Sequence, residues 1–139
     1  MAIVNGAGPL ERLNSFINNS ATIVENAGIT IAEPAHKAVM YDADGNVVIA
    51  TSGDVAIGLI LSSSLDPIFQ GRQVHILIKY IGLVEAGGVI NKGDLITINA
   101  TGQAVAAASG DFFFGRAFTA STVAGEVIQA QINQMGYKA

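Results

Sequence analysis

Cysteine and tryptophan are absent from this chain of 139 residues, and proline occurs only three times. Without cysteine the chain has no disulfide, no thiolate nucleophile and no cysteine-based metal site. Charge is scarce as well, because 13% of the residues are charged against about 25% in an ordinary soluble domain. The seven basic residues are scattered along the sequence, which argues against a nucleic-acid partner. So little charge indicates a neutral surface or one covered by a partner.

Long hydrophobic runs are missing too. No apolar stretch approaches the roughly 18 residues needed to span a bilayer, so we expect no membrane partner. The opening residues, "MAIVNGAG", lack the basic region and the apolar stretch of a secretory signal. We therefore expect a soluble protein made in the cytoplasm of the producing cell.

Glycine, by contrast, is frequent and dispersed, and it separates short runs rich in valine, isoleucine, threonine and phenylalanine. Many runs alternate apolar and polar residues, as half-buried strands do. In one run Val74, Ile76, Ile78 and Tyr80 share the face predicted to enter the core. The length suits one domain. We predict an all-β fold, a small barrel or sandwich, with strands near residues 21–26, 29–33, 38–43, 46–51, 55–61, 73–81, 83–86, 94–99, 103–107, 112–118 and 126–132.

An internal repeat organises these strands. When "DADGNVVIATSGDVAIGLILSSS" is set over "NATGQAVAAASGDFFFGRAFTAS", Gly45 aligns with Gly102 and Gly58 with Gly115. The repeat units cover about residues 38–81 and 94–132 of a β-barrel domain predicted over residues 21–139. Two copies of one unit predict a pseudo-symmetric barrel or sandwich.

The first copy carries three extra residues, in the loop "SSSLDPIFQGR". Leu65, Ile68 and Phe69 lie near its tip. Apolar residues on a long loop either pack back over the barrel mouth, which is the commoner outcome, or form an interface.

Residues 1–20 are predicted to be an N-terminal arm with a short helix. In "PLERLNSFINN", Pro9 suits a first helical turn, and Leu10, Leu13, Phe16 and Ile17 share one face. A helix of this length needs something to pack on. The sequence leaves open whether that is its own barrel or a neighbouring protein.

The acidic stretch Asp42-Ala43-Asp44-Gly45-Asn46 invites a comparison with calcium loops. An EF-hand loop needs glycine at position six and a bidentate glutamate at position twelve. Here glycine stands at position four, and Gly53 stands at position twelve. We predict instead a type I′ hairpin turn centred on Asp44 and Gly45. The second copy, which lacks both carboxylates, supports the turn.

Catalytic and cofactor motifs are also missing. The chain has no Gly-x-Ser-x-Gly elbow, and its histidines are His36 and His75, the latter equivalent to Gln129 in the repeat. Asp54 and Asp111 each follow Ser-Gly and are predicted to be turn residues. The Gly6-Ala7-Gly8 stretch lacks the third glycine of a dinucleotide loop. We predict no enzyme activity, no cofactor and no metal.

Two strands are apolar on both faces. "VAIGLIL" and "FFFGRAF" occupy the same place in the two copies, and Phe113 must point away from Phe112 and Phe114. One face fills the core, so the other needs cover. Homo-oligomerisation would supply it, and so would the N-terminal helix.

The order of five segments, "KAVMYDADGNVVIATSGDVAIGLIL", "GRQVHILIKYIGLVEAGG", "INKGDLITINATGQAV", "FFFGRAF" and "GEVIQAQI", resembles the small all-β capsid decoration, or cement, proteins of bacteriophages and the base domain of phage head fibres. The resemblance covers roughly residues 35–133. It implies a non-enzymatic virion protein, commonly a homotrimer, that binds the major capsid protein on the capsid surface and stabilises the shell. The resemblance also implies that the protein needs no cofactor.

Residues 1–34 fit that pattern less well, and we expect them to form a strap or helix that reaches the capsid or a neighbouring subunit. The predicted contact residues are Leu10, Leu13, Phe16, Ile17, Leu65, Ile68, Phe69 and Phe113.

Two other functions are weighed against this one. "VEAGGVINKGDLITIN" resembles the paired hairpins of barrel-sandwich hybrid carriers of lipoyl or biotinyl groups, but Lys92 lacks the apolar framing of a modified lysine. A fibre-type carbohydrate-binding module would present exposed aromatic side chains, and the sequence has three tyrosines and no tryptophan.

Overall fold

The computed structural model describes residues 21–52 and 55–139. Strands and connecting loops make up this part of the chain, and it contains no helix, so none long and apolar enough to cross a bilayer occurs in it. The all-β class predicted from the sequence is confirmed. The ten strands are β1 (Thr22–Asn26), β2 (Ala38–Tyr41), β3 (Val47–Ile49), β4 (Gly58–Ile60), β5 (Gln73–Leu77), β6 (Tyr80–Glu85), β7 (Leu95–Ile98), β8 (Ala104–Ala106), β9 (Phe112–Ala117) and β10 (Val127–Tyr137).

Two antiparallel sheets of five strands follow one another along the chain. The first sheet has the order β1-β5-β4-β2-β3 and the second the order β6-β10-β9-β7-β8. Each strand of the second sheet therefore takes the place of the strand five earlier. The sheets are the two copies of the internal repeat, which also includes β1 and β6, the strands that the sequence comparison left unaligned.

Each sheet curls around its own apolar core. Ala27, just after β1, forms a parallel bridge to Val47 at the opposite edge of the first sheet, and Ala86 forms the equivalent bridge to Ala104. One bridge does not close a sheet, so the molecule has two curled sheets and not a single closed barrel. Equivalent residues fill the two cores: Ala27, Ile31, Val39, Val47, Ile60, Val74 and Ile76 in the first, and Ala86, Ile90, Ile96, Ala104, Ala117, Ile128 and Ala130 in the second.

The first sheet also supplies part of the core of the second. Leu59 and the small side chains of Ala38, Ala50 and Ala56 are buried in the same cluster as Phe114. Burying a leucine or phenylalanine side chain contributes about 1.5–3 kcal/mol. Apolar packing between the two sheets therefore stabilises their association.

The glycine kept at the same place in both copies has a steric reason. A Cβ on Gly58 would lie 2.3 Å from the carbonyl oxygen of Leu77, and a Cβ on Gly115 would lie 2.3 Å from that of Gln131. In both sheets the neighbouring strand passes too close for any side chain at this position. The repeat thus preserves a close approach of two backbones.

One predicted strand, at residues 29–33, is wrong. This segment contributes a single bridge, between Ile31 and Ile68, and Ile29 is half exposed. Pro34 follows and has no N–H to extend a ladder. The second copy behaves alike, with one bridge between Ile90 and Ser121.

The run predicted as one strand over residues 73–81 is two strands. β5 ends at Leu77 and β6 begins at Tyr80, whose φ of 73° lies in the left-handed region and not in the range of an extended strand. Val74 and Ile76 are buried as predicted, whereas Tyr80 is 60% exposed. Ile78, just after β5, still packs against the first core, so the predicted face fails only at Tyr80.

The last strand is longer than predicted. β10 continues to Tyr137, with an irregularity in its pairing to β9 between Ile132 and Gly136. Beyond that point Gly136 pairs with Phe113 and Tyr137 with Phe112. The alternation of apolar residues is lost there, which hid this part of the strand from a pattern search.

Candidate functional site

The loop from Asp42 to Asn46 is the hairpin turn between β2 and β3. One carboxylate oxygen of Asp42 accepts the backbone N–H groups of Asp44 and Asn46, both at 2.9 Å. The N–H of Gly45 donates to the carbonyl of Asp42 at 3.2 Å, and that of Asp42 donates to the carbonyl of Asn46 at 2.8 Å. Backbone N–H groups of the loop itself therefore already bond to the Asp42 carboxylate oxygen.

The second copy builds the same turn with a neutral amide. The side-chain oxygen of Asn99 accepts the N–H groups of Thr101 and Gln103 at 2.9 and 3.1 Å. Since an amide replaces the carboxylate, the shared role is to accept backbone hydrogen bonds. Within the described residues no three histidine, aspartate or glutamate side chains gather as metal ligands would. The geometry therefore favours a turn over a cation site.

The predicted type I′ geometry is wrong. That turn needs positive φ at both central residues, but in this hairpin Gly45 alone has it, at 81°, as Gly102 has in the second copy, at 79°. Asp42 and Asn46 are hydrogen-bonded to each other and close the hairpin, so three residues lie between them, and the last of these, Gly45, is in the left-handed region. Asp44 keeps a negative φ, and its N–H donates to the Asp42 carboxylate.

Replacing Asp42 by asparagine should change the free energy of unfolding by less than about 0.5 kcal/mol, because asparagine performs the same role at position 99. Asp42→Ala removes an acceptor for two N–H groups and should cost about 1–2 kcal/mol. Urea denaturation measures both, and millimolar calcium should leave the Tm unchanged. A calcium-induced rise of several degrees that Asp42→Asn abolishes would restore the cation site.

A buried ion pair links the two sheets. The Lys37 ammonium, whose side chain is 7% exposed, lies 2.8 Å from the carboxylate of Glu85 at the end of β6. The Gln103 amide donates to the same carboxylate oxygen at 2.7 Å. Close by, the N–H of Glu85 donates to the carbonyl of His36 at 3.0 Å. A buried charge costs several kcal/mol unless it is paired in this way.

The ion pair lowers the pKa of Glu85. Burial raises the pKa of Glu85, but the hydrogen bonds from Lys37 and Gln103 and the positive charge of Lys37 outweigh it, so the pKa lies below the ordinary value of 4.5. Glu85 is therefore charged at neutral pH. It serves to hold the sheets together and is not poised to exchange a proton near pH 7.

Two other groups have displaced pKa values. The Tyr41 hydroxyl donates to Glu25, and this bond raises the pKa of Tyr41 above 10.0. Hydrogen bonds from Thr122 and Val123 lower the pKa of Glu126 below 4.5. Both shifts move the pKa further from pH 7, whereas general acid or base catalysis works best with a pKa near the working pH.

The structure describes two of the residues that were considered for catalysis, His75 and Asp111. His75 is exposed on β5 opposite Val24, in keeping with a solvated position. The carboxylate of Asp111 accepts the N–H of Ala108 at 2.9 Å, so its predicted turn role is confirmed. Asp54 and the Gly6-Ala7-Gly8 stretch lie outside the described residues.

The longer loop divides its apolar residues between two environments. It connects β4 to β5 over residues 61–72, whereas β9 and β10 are joined by residues 118–126, so the predicted three-residue excess is confirmed. Ile68 packs against the first core. Leu65 is 88% exposed and Phe69 61% exposed. The loop thus covers the sheet with one apolar residue and presents the other two to solvent.

Phe113 finds part of its cover within the chain. Its ring lies 3.1 Å from the position that a Cβ of Gly136 would take, on the extended part of β10. Phe112 packs edge to face with Tyr137, with ring centroids 5.4 Å apart, and Phe114 is buried. The C-terminal strand therefore supplies cover that the sequence assigned to another subunit or the arm.

A groove of about 400 Å³ opens between the two sheets, and we call it the inter-sheet groove. Leu61, Ile81 and Leu83 line it and are 45, 57 and 46% exposed. Sequence reasoning missed it because the pattern gives each strand's faces without saying which faces lie together. The full lining is His36, Leu59, Ile60, Leu61, Leu77, Ile81, Gly82, Leu83 and Gln129.

The four contact residues predicted in the arm, Leu10, Leu13, Phe16 and Ile17, and the short helix that would carry them lie outside the described residues. Their role stays a prediction.

Neither a protein-family model nor a curated protein sequence matches the chain. Among solved structures, the fold is similar to the head fiber gp8.5 N base of bacteriophage phi29, with a TM-score of 0.60 and 18% sequence identity. The similarity covers 85% of this chain and 98% of that one. At this identity the likeness establishes a shared fold, and it extends over nearly the whole of the phage domain.

Proposed function

We propose that this protein is a structural component of a bacteriophage virion, a head-fibre base or decoration protein, that binds the outer surface of the assembled capsid and stabilises the shell. The observation that carries the proposal is the fold, because the likeness spans 98% of the head fibre base. The proposed site is a surface that contacts another protein. The partner is the major capsid protein.

The exposed tip of the β4–β5 loop is the described surface best suited to this partner. Leu65 and Phe69 project from a segment that Ile68 anchors to the first core. The loop is also the feature that the second copy lacks, so the asymmetry between the copies lies at this tip. Exposed apolar side chains on an anchored loop lose little freedom on binding, which favours a contact.

Oligomerisation strengthens such a contact. We propose a homotrimer, in which three loop tips bind neighbouring capsid subunits at once. Linked sites raise the effective local concentration of each other, so weak single contacts sum to firm attachment. Light scattering on the purified protein should give three times the monomer mass, and a stable monomer at micromolar concentration would contradict the trimer.

The contact is tested by cosedimentation with assembled capsids purified without this protein. The double variant Leu65→Ser/Phe69→Ser should weaken binding by at least about tenfold. The control is Val89→Ser/Val123→Ser, because these valines lie on other loops and are exposed to a similar extent, 65 and 61%. Unchanged binding of the loop variant would overturn its role, and failure of the wild type to sediment with capsids would overturn the function.

A further inference from the structure

The inter-sheet groove exposes a continuous apolar surface that the described residues do not cover. Leu61 directly follows β4 of the first sheet, and Ile81 and Leu83 come from β6 of the second, so both sheets contribute side chains. The lining is apolar except for His36 and Gln129. A volume of about 400 Å³ lies in the range of roughly 300–1,000 Å³ typical of binding clefts. Such a groove suits a few apolar side chains in a row.

The first described residue, Ala21, lies beside this groove. The carbonyl of Ala21 accepts the N–H of Ile78 at 2.9 Å, and Thr22, the next residue, pairs with Leu77. Leu77 is part of the groove lining. The segment that precedes β1 is therefore tethered one residue away from the groove wall.

That segment carries a matching apolar set. Leu10, Leu13, Phe16 and Ile17 are spaced to share one helical face, with Glu11 and Arg12 between them. Only residues 18–20 separate Ile17 from the tether, and three extended residues reach about 10 Å. A tether this short gives an effective concentration in the millimolar range, which favours the chain's own groove over that of a second molecule.

We propose that the apolar residues of segment 9–17 occupy the inter-sheet groove of their own chain, as an amphipathic helix fills a hydrophobic groove. The segment covers Leu61, Ile81 and Leu83 in the free protein. This inference does not depend on capsid binding, and its test uses the purified full chain alone.

The absence of cysteine makes the test direct. The full-chain double variant Phe16→Cys/Leu83→Cys places one thiol on the segment and one in the groove. The control Phe16→Cys/Val123→Cys has its second thiol on an exposed loop residue outside the groove lining. Heavy-isotope and natural-abundance preparations of each variant are mixed, unfolded and refolded together, and then oxidised. Mass spectrometry of the disulfide-linked peptides shows which chains are joined.

We expect the groove pair to form at least about tenfold more disulfide than the control, with both peptides of every pair carrying the same isotope. Pairs that mix the isotopes would assign the groove to the segment of a second copy and overturn the proposal. Equal yields in the two variants would overturn it too, because they would mean that the segment does not rest in the groove.

A second measurement does not need engineered cysteines. The substitution Phe16→Asp in the full chain should uncover the groove and raise the fluorescence of a dye that binds exposed apolar surface. Ile3→Asp, which adds the same charge outside segment 9–17, should leave the fluorescence unchanged. Equal responses of the two variants would contradict the docking of Phe16.

Discussion

Replacing Glu85 by alanine is expected to lower the free energy of unfolding by about 3–5 kcal/mol, because it leaves a buried ammonium without its partner. Lys37 is 7% exposed and pairs with Glu85 at 2.8 Å. The substitution also removes the acceptor of the Gln103 amide. Urea denaturation at neutral pH measures the loss.

The control is Glu33→Ala, which removes an exposed carboxylate from the same region and should change stability by less than about 0.5 kcal/mol. The double variant Lys37→Met/Glu85→Leu should recover most of the loss, because it removes the buried ammonium together with its partner. If Glu85→Ala were no more costly than Glu33→Ala, the ion pair would not hold the sheets together.

The ion pair also predicts the behaviour in acid. Because the pKa of Glu85 lies below 4.5 in the folded protein, its stabilisation is fully present above that pH and is lost as the pH falls through the folded value. Wild-type stability should therefore drop more steeply below pH 4.5 than that of Lys37→Met/Glu85→Leu. Parallel pH profiles of the two proteins would contradict the assignment.

Replacing Gly115 by alanine should destabilise the second sheet by about 3 kcal/mol, at the upper end of ordinary overpacking. The added Cβ would lie 2.3 Å from the carbonyl oxygen of Gln131, and a backbone carbonyl in a paired strand cannot swing aside as a side chain can. Gly58→Ala meets the Leu77 carbonyl at the same distance. The two variants should therefore be destabilised to a similar extent.

Gly88→Ala is the matched control. No atom lies within 4 Å of the Cβ it would add, and its φ is outside the left-handed region. It should be neutral to within about 0.5 kcal/mol. If Gly115→Ala proved equally harmless in thermal unfolding, the close approach of β9 and β10 would not explain why both copies keep this glycine.

Much of this architecture could be predicted from the sequence because both copies of the repeat need the same residue types at the same positions. Gly58 and Gly115 need the same close approach, and Gly45 and Gly102 the same left-handed turn. Period-two alternation located most strands, since one face of each is buried. It failed at residues 29–33, where apolar residues serve a single bridge.

The candidate surfaces were less accessible to sequence reasoning. Lys37 and Glu85 are distant in the chain, and no sequence motif around either residue identifies the other as its partner. The inter-sheet groove exists because outward faces of two different sheets lie beside each other. Leu65 and Phe69 are exposed, as a contact would require, and their contact role stays a prediction.

The way in which the two cores are shared makes the dependence between the two sheets one-sided. Within the part of the chain that the structure describes, every residue of the first core precedes β6, and Ile78 is the last of them. The core of the second sheet includes Leu59 and three alanines from the first. Among the described residues, the first sheet therefore fills its core without the second, whereas the second core is completed by residues of the first.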